Sequence, residues 1–407
     1  MEKDFAFLPG KTDTILDIAG LQVGHAQDNH ALTGVTVLLA PDGAVAGVDI
    51  RGGGSGAREI QLLDPRTTTD QVHAIVLSGG SAYGLDAAGG VMAWLEERGI
   101  GFDAGVTKVP LVPQAILFDL GVGDSRVRPD QAMAREACDH AVSDGNLLSQ
   151  GNWGAGCGAT IGKLRGGVGA MKSGVGSASV TLANGFTVGA LVAVNALGDV
   201  YEGGCIIAGM LAQTDAADAT DSAAAADAAD VADAANAAKA AEAADAAEAA
   251  DAADAADAAG AADATGAADA TDSAAAADAA GAIPRFADSA RCLLDMGALT
   301  FSDAAAPTAG LNTTIGVIAT NGAFTKSQCG KIASMGHNGM ARAIRPVHTT
   351  MDGDLLFTLS TGEMDAPIDV AGEMAAIAIE RAIIKAVKAA APAGGLPSWQ
   401  SFDSSSK

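Results

Sequence analysis

The chain has 407 residues, 52 of them glycine, and is 49% hydrophobic but only 4% aromatic. This composition predicts a folded protein with a core of small side chains and many tight turns. Of the net charge of −25, −15 comes from residues 214–282, which hold 16 acidic residues and one lysine, so the rest of the chain carries −10. A chain of this acidity is a poor ligand for nucleic acid, and we expect no such partner.

Cysteine usage and the amino-terminal residues predict a cytoplasmic protein. The five cysteines, without CxxC spacing, indicate buried free thiols in a reducing compartment. Met1–Gly20 lacks the basic start and apolar core of a signal peptide, and no apolar run is long enough to span a bilayer, so we expect no membrane partner. The six histidines have no paired metal-binding spacing, and we expect neither a metal nor another cofactor.

The first fifty residues predict short strands at Ile15–Ile18, Gly34–Ala40 and Ala44–Ile50, with a hairpin turn at Pro41-Asp42-Gly43. Residues 51–59 then match G-x-G-x-x-A, the pattern of a dinucleotide-binding loop. That function requires a long helix next, whereas Asp64-Pro65-Arg66 predicts a loop. We therefore interpret residues 51–59 as a tight backbone turn.

Ser81 follows a predicted buried strand, His73–Leu77. Gly79-x-Ser81 matches part of a nucleophile elbow, but Tyr83 stands where the closing glycine is required. We favour Ser81 as the N-cap of a helix that continues to about Arg98.

The middle of the chain predicts strands around a glycine-rich loop at 151–160, which we expect to wrap a pocket. The predicted strands are Ala115–Leu120, Gly166–Lys172, Gly176–Leu182, Thr187–Asn195 and Asp199–Glu202. Asn184-Gly185 predicts a hairpin turn, and Pro129–Val142 an amphipathic helix.

Residues 214–282 are alanine with an acidic residue at nearly every third position. On a helix this spacing advances by about 300° per step, so acidic side chains cover every side and no apolar stripe remains. We interpret the segment as a solvated, mobile linker, partly helical and inserted in a loop.

Two predicted strands near the carboxyl terminus carry the best candidates for catalysis. Asn312-Thr313-Thr314 leads into the β-branched run Ile315–Ala319, and Asp352-Gly353-Asp354 leads into Leu355–Leu359. If these strands are adjacent, a hydroxyl and two carboxylates meet at one edge of a sheet. The helices predicted around them are Phe286–Met296, Thr325–Ile344 and Ala366–Ala391. Strands in the middle and helices outside, without regular βαβ alternation, predict a layered α+β sandwich.

Thr313 is a candidate nucleophile, although a threonine hydroxyl inside a chain is a poor one. A threonine at an amino terminus has its own α-amine, whose unperturbed pKa of about 8 suits a general base. Asp352 and Asp354 flank Gly353, so both carboxylates could face one side of a strand and hold the threonine; an Asp-Gly turn is the alternative. His348 could touch this site or simply occupy a turn, and Asn195 ends a strand where either an oxyanion role or a turn role is possible.

The two motifs, with the Arg51-Gly52-Gly53 loop and the Gly80–Leu85 turn, resemble the DmpA-type L-aminopeptidase/D-esterase family, which includes β-peptidyl aminopeptidases and the nylon-oligomer hydrolase. The resemblance covers nearly the whole chain except the region of residues 214–282. It implies a four-layer αββα fold of the N-terminal-nucleophile-hydrolase type, shared with ornithine acetyltransferases. It also implies self-cleavage of one domain into fragments 1–312 and 313–407, and a homo-oligomer of processed fragment pairs.

The resemblance further implies roles for individual residues. Thr313 is the nucleophile and, through its freed amine, the base; Asn195 binds the oxyanion; Lys172 lies near the nucleophile, with Lys163 as its competitor. The nylon-hydrolase branch has two aspartates as in this chain, whereas the aminopeptidase branch has serine at the position of Asp352. Related sequences often carry tyrosine where Phe118 stands, so one hydroxyl expected beside the nucleophile is missing.

We therefore expect a self-processing threonine hydrolase that acts as an aminopeptidase or amidase. Its expected substrates are small amino-terminal peptides, amides or esters, with amide oligomers as a further class. Acyl transfer of the ornithine-acetyltransferase type and an unprocessed, non-catalytic scaffold remain alternatives.

Overall fold

A large mixed β-sheet with helices on both sides organises the chain in this computed structural model. The structure describes residues 8–143, 148–212, 286–296 and 312–402, all within the unit formed by Met1–Gln213 and Pro284–Lys407. The acidic segment 214–282 lies outside the described residues, so its interpretation as a linker stays a prediction.

The strands are β1 (Gln22–Asp28), β2 (Thr33–Ile50), β3 (Gly56–Arg58), β4 (Gln71–Ser78), β5 (Phe102–Asp103), β6 (Lys108–Val109), β7 (Gln114–Ile116), β8 (Thr160–Ile161), β9 (Met171–Lys172), β10 (Val175–Thr181), β11 (Thr187–Asn195), β12 (Asp199–Glu202), β13 (Cys205–Ala208), β14 (Thr313–Gly322), β15 (Ile344–Arg345) and β16 (Leu355–Met364). The helices are α1 (Ala87–Glu96), α2 (Gln131–Ala141), α3 (Ser289–Met296), α4 (Lys326–Ala343) and α5 (Ile368–Ala389).

The large sheet has the strand order β10-β11-β14-β16-β2-β4-β7-β3, and β1 pairs with β2. Within this sheet β14 pairs with β16, and β4 with β7, in parallel. The other pairs are antiparallel. The adjacent strands predicted to follow Thr313 and Asp354 are therefore confirmed, and they run side by side in the same direction.

Three groups of buried side chains show that the sheet folds into two facing layers. One group joins α4 and α5 to β10, β11, β14 and β16 through residues such as Val192, Ile318 and Ile379. A second joins α1 and α2 to β1, β2 and β4. The third lies between the two halves of the sheet, where Leu191, Val317 and Phe357 meet Leu38 and Ile75. The result is the predicted four-layer αββα sandwich, with strands buried on both faces.

The hairpin predicted at Pro41-Asp42-Gly43 is wrong, because β2 is one continuous strand. Its register with β4 shifts between Leu39 and Ala44, so the intervening residues form a bulge. Gly43 has a φ of 83°, the left-handed conformation that this bulge requires. Before the bulge β2 also pairs with β1, and after it with β16, so the bulge redirects the strand from one sheet half to the other.

Ser81 is not the N-cap that the sequence suggested. A 3₁₀ turn, Ser81–Asp86, comes before α1, and its N-cap is Gly80 with a φ of 78°. The N–H of Gly80 donates to the Asp119 carboxylate at 2.7 Å and that of Ser81 to the Leu117 carbonyl at 3.0 Å. These two hydrogen bonds fix the backbone at the start of the 3₁₀ turn, before α1.

Three of the five cysteines are buried as predicted, whereas Cys205 is exposed and Cys292 is half-buried. Among the helices that the structure describes, none has the length and apolar character needed to cross a membrane.

Candidate active site

Strand β14 places Thr313 between the strands that carry the other candidate residues. Thr313 is the direct antiparallel partner of Asn195 at the end of β11, so their side chains leave the sheet on the same face. On the other side, Asn312 forms a parallel bridge with Asp352 just before β16. The topology therefore brings Asn195, Thr313 and Asp352 to one edge of the sheet.

Two hydrogen-bond donors converge on the carbonyl oxygen of Asn312. The Oγ1 of Thr313 donates to it at 2.5 Å, and the N–H of Gly353 donates to it at 2.7 Å. Asn312 and Thr313 are both buried. A hydroxyl thus lies beside a carbonyl group that a backbone amide polarises.

Gly353 is a site residue that sequence reasoning missed, because a backbone N–H has no side-chain signature. A Cβ at this position would lie 2.8 Å from Thr313 Oγ1 and 2.8 Å from the Gly54 carbonyl oxygen. The one available signal was the glycine itself, placed between two aspartates. Only glycine leaves room there for the Thr313 hydroxyl.

Asn195 is oriented by Lys163 and by the backbone of Thr160. Its Oδ1 accepts from Lys163 Nζ at 2.8 Å and from the Thr160 N–H at 3.0 Å. Because the backbone N–H of Thr160 can only donate, the oxygen and nitrogen of the amide are fixed. Nδ2 then lies on the opposite side and donates to the Phe118 carbonyl oxygen at 2.8 Å.

Lys163 also lies near Thr313, because it contacts Asn195, the strand partner of Thr313. Its Nζ also donates to the backbone oxygen of Asn195 at 2.9 Å. Burial lowers the pKa of Lys163 to about 7, and the nearby carboxylates of Asp352 and Asp119 only partly oppose this shift. Of the two lysines considered from the sequence, Lys163 is thus the one that contacts Asn195.

Lys172 occupies a different place, under the glycine-rich loop. Its fully buried Nζ donates to three backbone carbonyl oxygens, those of Cys157, Ala159 and Ser173, at 2.9, 2.7 and 3.2 Å. Three acceptors match the three N–H bonds of an ammonium group, although burial lowers the pKa of Lys172 to about 8. Lys172 binds the carbonyl oxygen of Ala159, and the N–H of the next residue, Thr160, donates to Asn195. Lys172 is therefore connected to Asn195 through the loop backbone. Its direct role beside the nucleophile stays a prediction.

Asp354 anchors the start of β14, the strand of Thr313. Its Oδ1 accepts from the N–H of Thr314 at 2.8 Å. Its Oδ2 accepts from the N–H and the Nδ1 of His348 at 3.0 and 2.8 Å. In this arrangement Asp354 holds the backbone next to Thr313; the predicted bond to the threonine itself stays a prediction.

Asp352 has a different environment from Asp354. Its Oδ2 accepts from the N–H and Oγ1 of Thr349 at 3.0 and 2.6 Å, and its Oδ1 accepts from the Leu197 N–H at 3.3 Å. Burial, and then the negative charge of Asp354, raise the pKa of Asp352. The two neighbouring carboxyl groups therefore lie in distinct environments.

The glycine-rich segment Arg51–Gly54 supports the aspartate segment with its backbone. The N–H groups of Arg51 and Gly52 donate to the Asp354 carbonyl at 3.0 and 3.3 Å, and that of Gly54 donates to the Asp352 carbonyl at 2.8 Å. A Cβ on Gly52 would lie 2.3 Å from the Asp352 carbonyl oxygen. The segment interpreted as a tight turn is therefore a close backbone support for this site. Within the described ranges, no group of three His, Cys, Asp or Glu side chains is arranged to hold a metal ion.

The fold matches that of known N-terminal-nucleophile hydrolases. The L-aminopeptidase D-Ala-esterase/amidase of Ochrobactrum anthropi, described as a variant of the Ntn hydrolase fold, superposes with a TM-score of 0.58. The match covers 95% of this chain and 88% of that chain at 18% sequence identity. The predicted fold class is thereby confirmed.

The Peptidase family S58 model matches residues 13–398, and the chain belongs to this family. An uncharacterized aminopeptidase of Mycobacterium leprae is 35% identical over 95% of this chain and 93% of its own length. A 6-aminohexanoate-oligomer endohydrolase of Kocuria sp. is 27% identical over 88% of this chain and 78% of its own length. The family resemblance seen in the motifs is confirmed.

Proposed function

We propose that this protein is a hydrolase of the aminopeptidase or amidase class that cleaves itself between Asn312 and Thr313. The observation that carries the proposal is the convergence of the Thr313 hydroxyl and the Gly353 N–H on the Asn312 carbonyl. The family supports a peptidase, and the names of the two relatives support amide bonds in small peptides or amide oligomers as substrates.

Self-cleavage would begin with attack of Thr313 Oγ1 on the carbonyl carbon of Asn312. The Gly353 N–H stabilises the negative charge that develops on the carbonyl oxygen. The C–N bond then breaks, the hydroxyl proton ends on the released amine, and an ester joins Asn312 to Thr313 Oγ1. Water hydrolyses this ester and leaves a carboxylate on Asn312 and a free hydroxyl on Thr313. Asp352, whose pKa is raised by burial, is our candidate for moving the proton.

The processed enzyme would use the same hydroxyl on its substrate. The freed α-amine of Thr313 accepts the hydroxyl proton, since its unperturbed pKa of about 8 suits a base. The amide Nδ2 of Asn195, on the strand next to Thr313, is the candidate donor to the substrate oxyanion. The proton then passes to the leaving amine or alcohol as its bond to the carbonyl carbon breaks, which leaves the acyl group as an ester on Thr313 Oγ1. Water hydrolyses this ester to a carboxylic acid and restores Thr313.

The intact mass of the purified, folded protein tests this proposal. We expect two associated fragments, residues 1–312 and 313–407, and turnover of amino-terminal amides and esters. Native mass measurement of the same sample tests the proposed homo-oligomer of fragment pairs. A folded protein that stays whole and inactive would overturn the proposal in favour of a scaffold. A substrate amine that outcompetes water for the acyl group would indicate acyl transfer.

Substitution Gly353→Ala is expected to slow both self-cleavage and turnover by about 10- to 100-fold, because the new Cβ displaces the Thr313 hydroxyl from its attack position. Gly121→Ala is the matched control, since a Cβ there has no heavy atom within 4 Å. Time courses of fragment formation measure the first effect and initial rates the second. Equal rates for Gly353→Ala and Gly121→Ala would contradict this account of the site.

A further inference from the structure

His348 contacts Asp354 through both its backbone and its ring. The N–H and Nδ1 of His348 lie 3.0 and 2.8 Å from the same carboxylate oxygen. The side chain of Asp354 is 1% exposed and that of His348 17% exposed. Both groups are therefore largely removed from water. In such a buried environment a hydrogen bond to a charged group is strongest.

The backbone of His348 adopts a conformation that few residues accept. Its φ is 59°, in the left-handed region that residues other than glycine adopt uncommonly, and Asn, Asp and His most often among them. Such a conformation costs energy and persists only where the surroundings enforce it. The turn orients both donors of His348 toward Asp354.

The bonds of His348 fix its tautomer. Because Nδ1 lies against a carboxylate, it carries the proton. The other ring nitrogen, Nε2, is buried and has no hydrogen-bond partner among the described residues. The ring thus presents a donor to Asp354.

His337 of α4 supports the ring of His348 without adding charge. The two rings meet edge to face with their centroids 4.7 Å apart. The Nε2 of His337 lies 3.1 Å from the carbonyl oxygen of Asp49 on β2 and 3.7 Å from its carboxylate. Burial lowers the pKa of His337 to about 4, so it is neutral near pH 7. Within the part of the chain that the structure describes, the titratable groups in contact with the His348 ring are Asp354 and His337, and Asp49 lies behind His337.

The other oxygen of Asp354 controls the strand that would become a chain terminus. It accepts from the N–H of Thr314, the residue after Thr313. Self-cleavage removes the covalent link that holds Thr313 from its amino side, and free chain ends fray unless they are tied down. The bond between Asp354 and Thr314 then acts together with the pairing to β11 to fix the position of Thr313.

We propose that His348 is a positioning residue: its Nδ1–H holds Asp354 so that Asp354 keeps Thr314, and with it Thr313, in register after cleavage. This inference rests on the proposed function. It predicts that loss of the Nδ1–H donor affects turnover by the processed enzyme more than it affects self-cleavage, because the uncleaved chain still holds Thr313 from both sides.

The substitutions His348→Asn and His348→Asp form a matched pair for the test. Both residues tolerate the left-handed conformation and have the same size. Asparagine places an amide N–H where Nδ1–H lies, whereas aspartate places a second carboxylate against Asp354. We expect His348→Asn to retain kcat within about fivefold and His348→Asp to lose about 10- to 150-fold at neutral pH, with KM nearly unchanged.

The pH profile separates a donor role from a packing role. As the pH falls, the introduced carboxyl gains a proton and becomes a donor, so the ratio of kcat for His348→Asp to that for His348→Asn is expected to rise. Packing changes would leave this ratio constant. His30→Asn, at an exposed turn, controls for loss of a histidine.

Two further outcomes decide between this inference and the proposed function. Equal kcat values for the two variants, or equal losses matched by equal drops in thermal midpoint, would overturn the positioning role alone. If His348→Asp does not fold, His348→Gly replaces it, since glycine keeps the backbone conformation and removes the ring donor. A wild type that neither splits nor hydrolyses amides would overturn the proposed function and this inference together.

Discussion

Substitution Thr313→Ala is expected to leave the chain in one piece and to abolish turnover, a loss of roughly 10⁴-fold or more in kcat. The methyl group of alanine cannot attack the Asn312 carbonyl, and no free threonine amine is generated. Thr313→Ser keeps a hydroxyl at the same carbonyl and is expected to split and to retain activity. Intact mass and initial rates on one amide substrate measure both effects.

The neighbouring threonine provides a matched control. Thr314 is fully buried, and its Oγ1 has no hydrogen-bond partner among the described residues. Its bond to Asp354 comes from the backbone and survives in Thr314→Val. We expect Thr314→Val to split and hydrolyse at close to wild-type rates. A variant Thr314→Val that stays whole beside a Thr313→Ala that splits would assign the nucleophile to Thr314.

The strands that carry the site could be predicted because their sequences agree with their tertiary environment. Ile315–Ala319 and Leu355–Leu359 are apolar, and both strands are buried between the helices and the facing sheet half. The Pro41-Asp42-Gly43 signal is as strong locally, yet β2 pairs with other strands on both sides of it. Those pairings keep the strand continuous, so the turn residues form a bulge.

The identity of the lysine at the site could not be read from the sequence. Lys163 and Lys172 both follow the glycine-rich loop at 151–160; Lys163 is half-buried and Lys172 is fully buried. The folded path of the loop at 151–160 determines which lysine contacts Asn195. Lys163 does so, whereas Lys172 binds a carbonyl oxygen of the loop. This path depends on tertiary contacts rather than on spacing.

The hydrogen bond between residue 118 and Asn195 does not require a tyrosine at position 118. The backbone carbonyl oxygen of Phe118 accepts a hydrogen bond from the Asn195 amide, and a tyrosine at this position would present the same oxygen. The amide orientation of Asn195 therefore does not depend on the tyrosine hydroxyl that the family resemblance leads us to expect at this position.

The two lysines are expected to respond differently to substitution by methionine. Lys163→Met removes a donor from Asn195 and is expected to lower kcat by about 10²- to 10³-fold, as for loss of one oxyanion-stabilising group, with the fold retained. Lys172→Met removes a donor from three buried carbonyl oxygens. That of Ala159 keeps the Ser173 N–H, and each of the other two is expected to cost roughly 1–3 kcal/mol when left unsatisfied. The main effect of Lys172→Met is expected in the thermal midpoint. A larger loss of kcat in a stable Lys172→Met would return the direct role to Lys172.

The pH dependence of stability tests the lowered pKa of Lys163 independently of activity. Burial lowers its pKa from 10.5 to about 7, whereas the unfolded chain keeps the ordinary value. Between these values the unfolded chain binds a proton that the folded chain does not, so the free energy of unfolding rises with pH. Methionine does not titrate, and the difference between wild type and Lys163→Met is therefore expected to shift in favour of wild type as the pH rises from about 7 toward 10. Denaturant unfolding of both proteins across this range measures the difference; a constant value would mean that Lys163 keeps its charge in the folded protein and acts on Asn195 as a permanent ammonium.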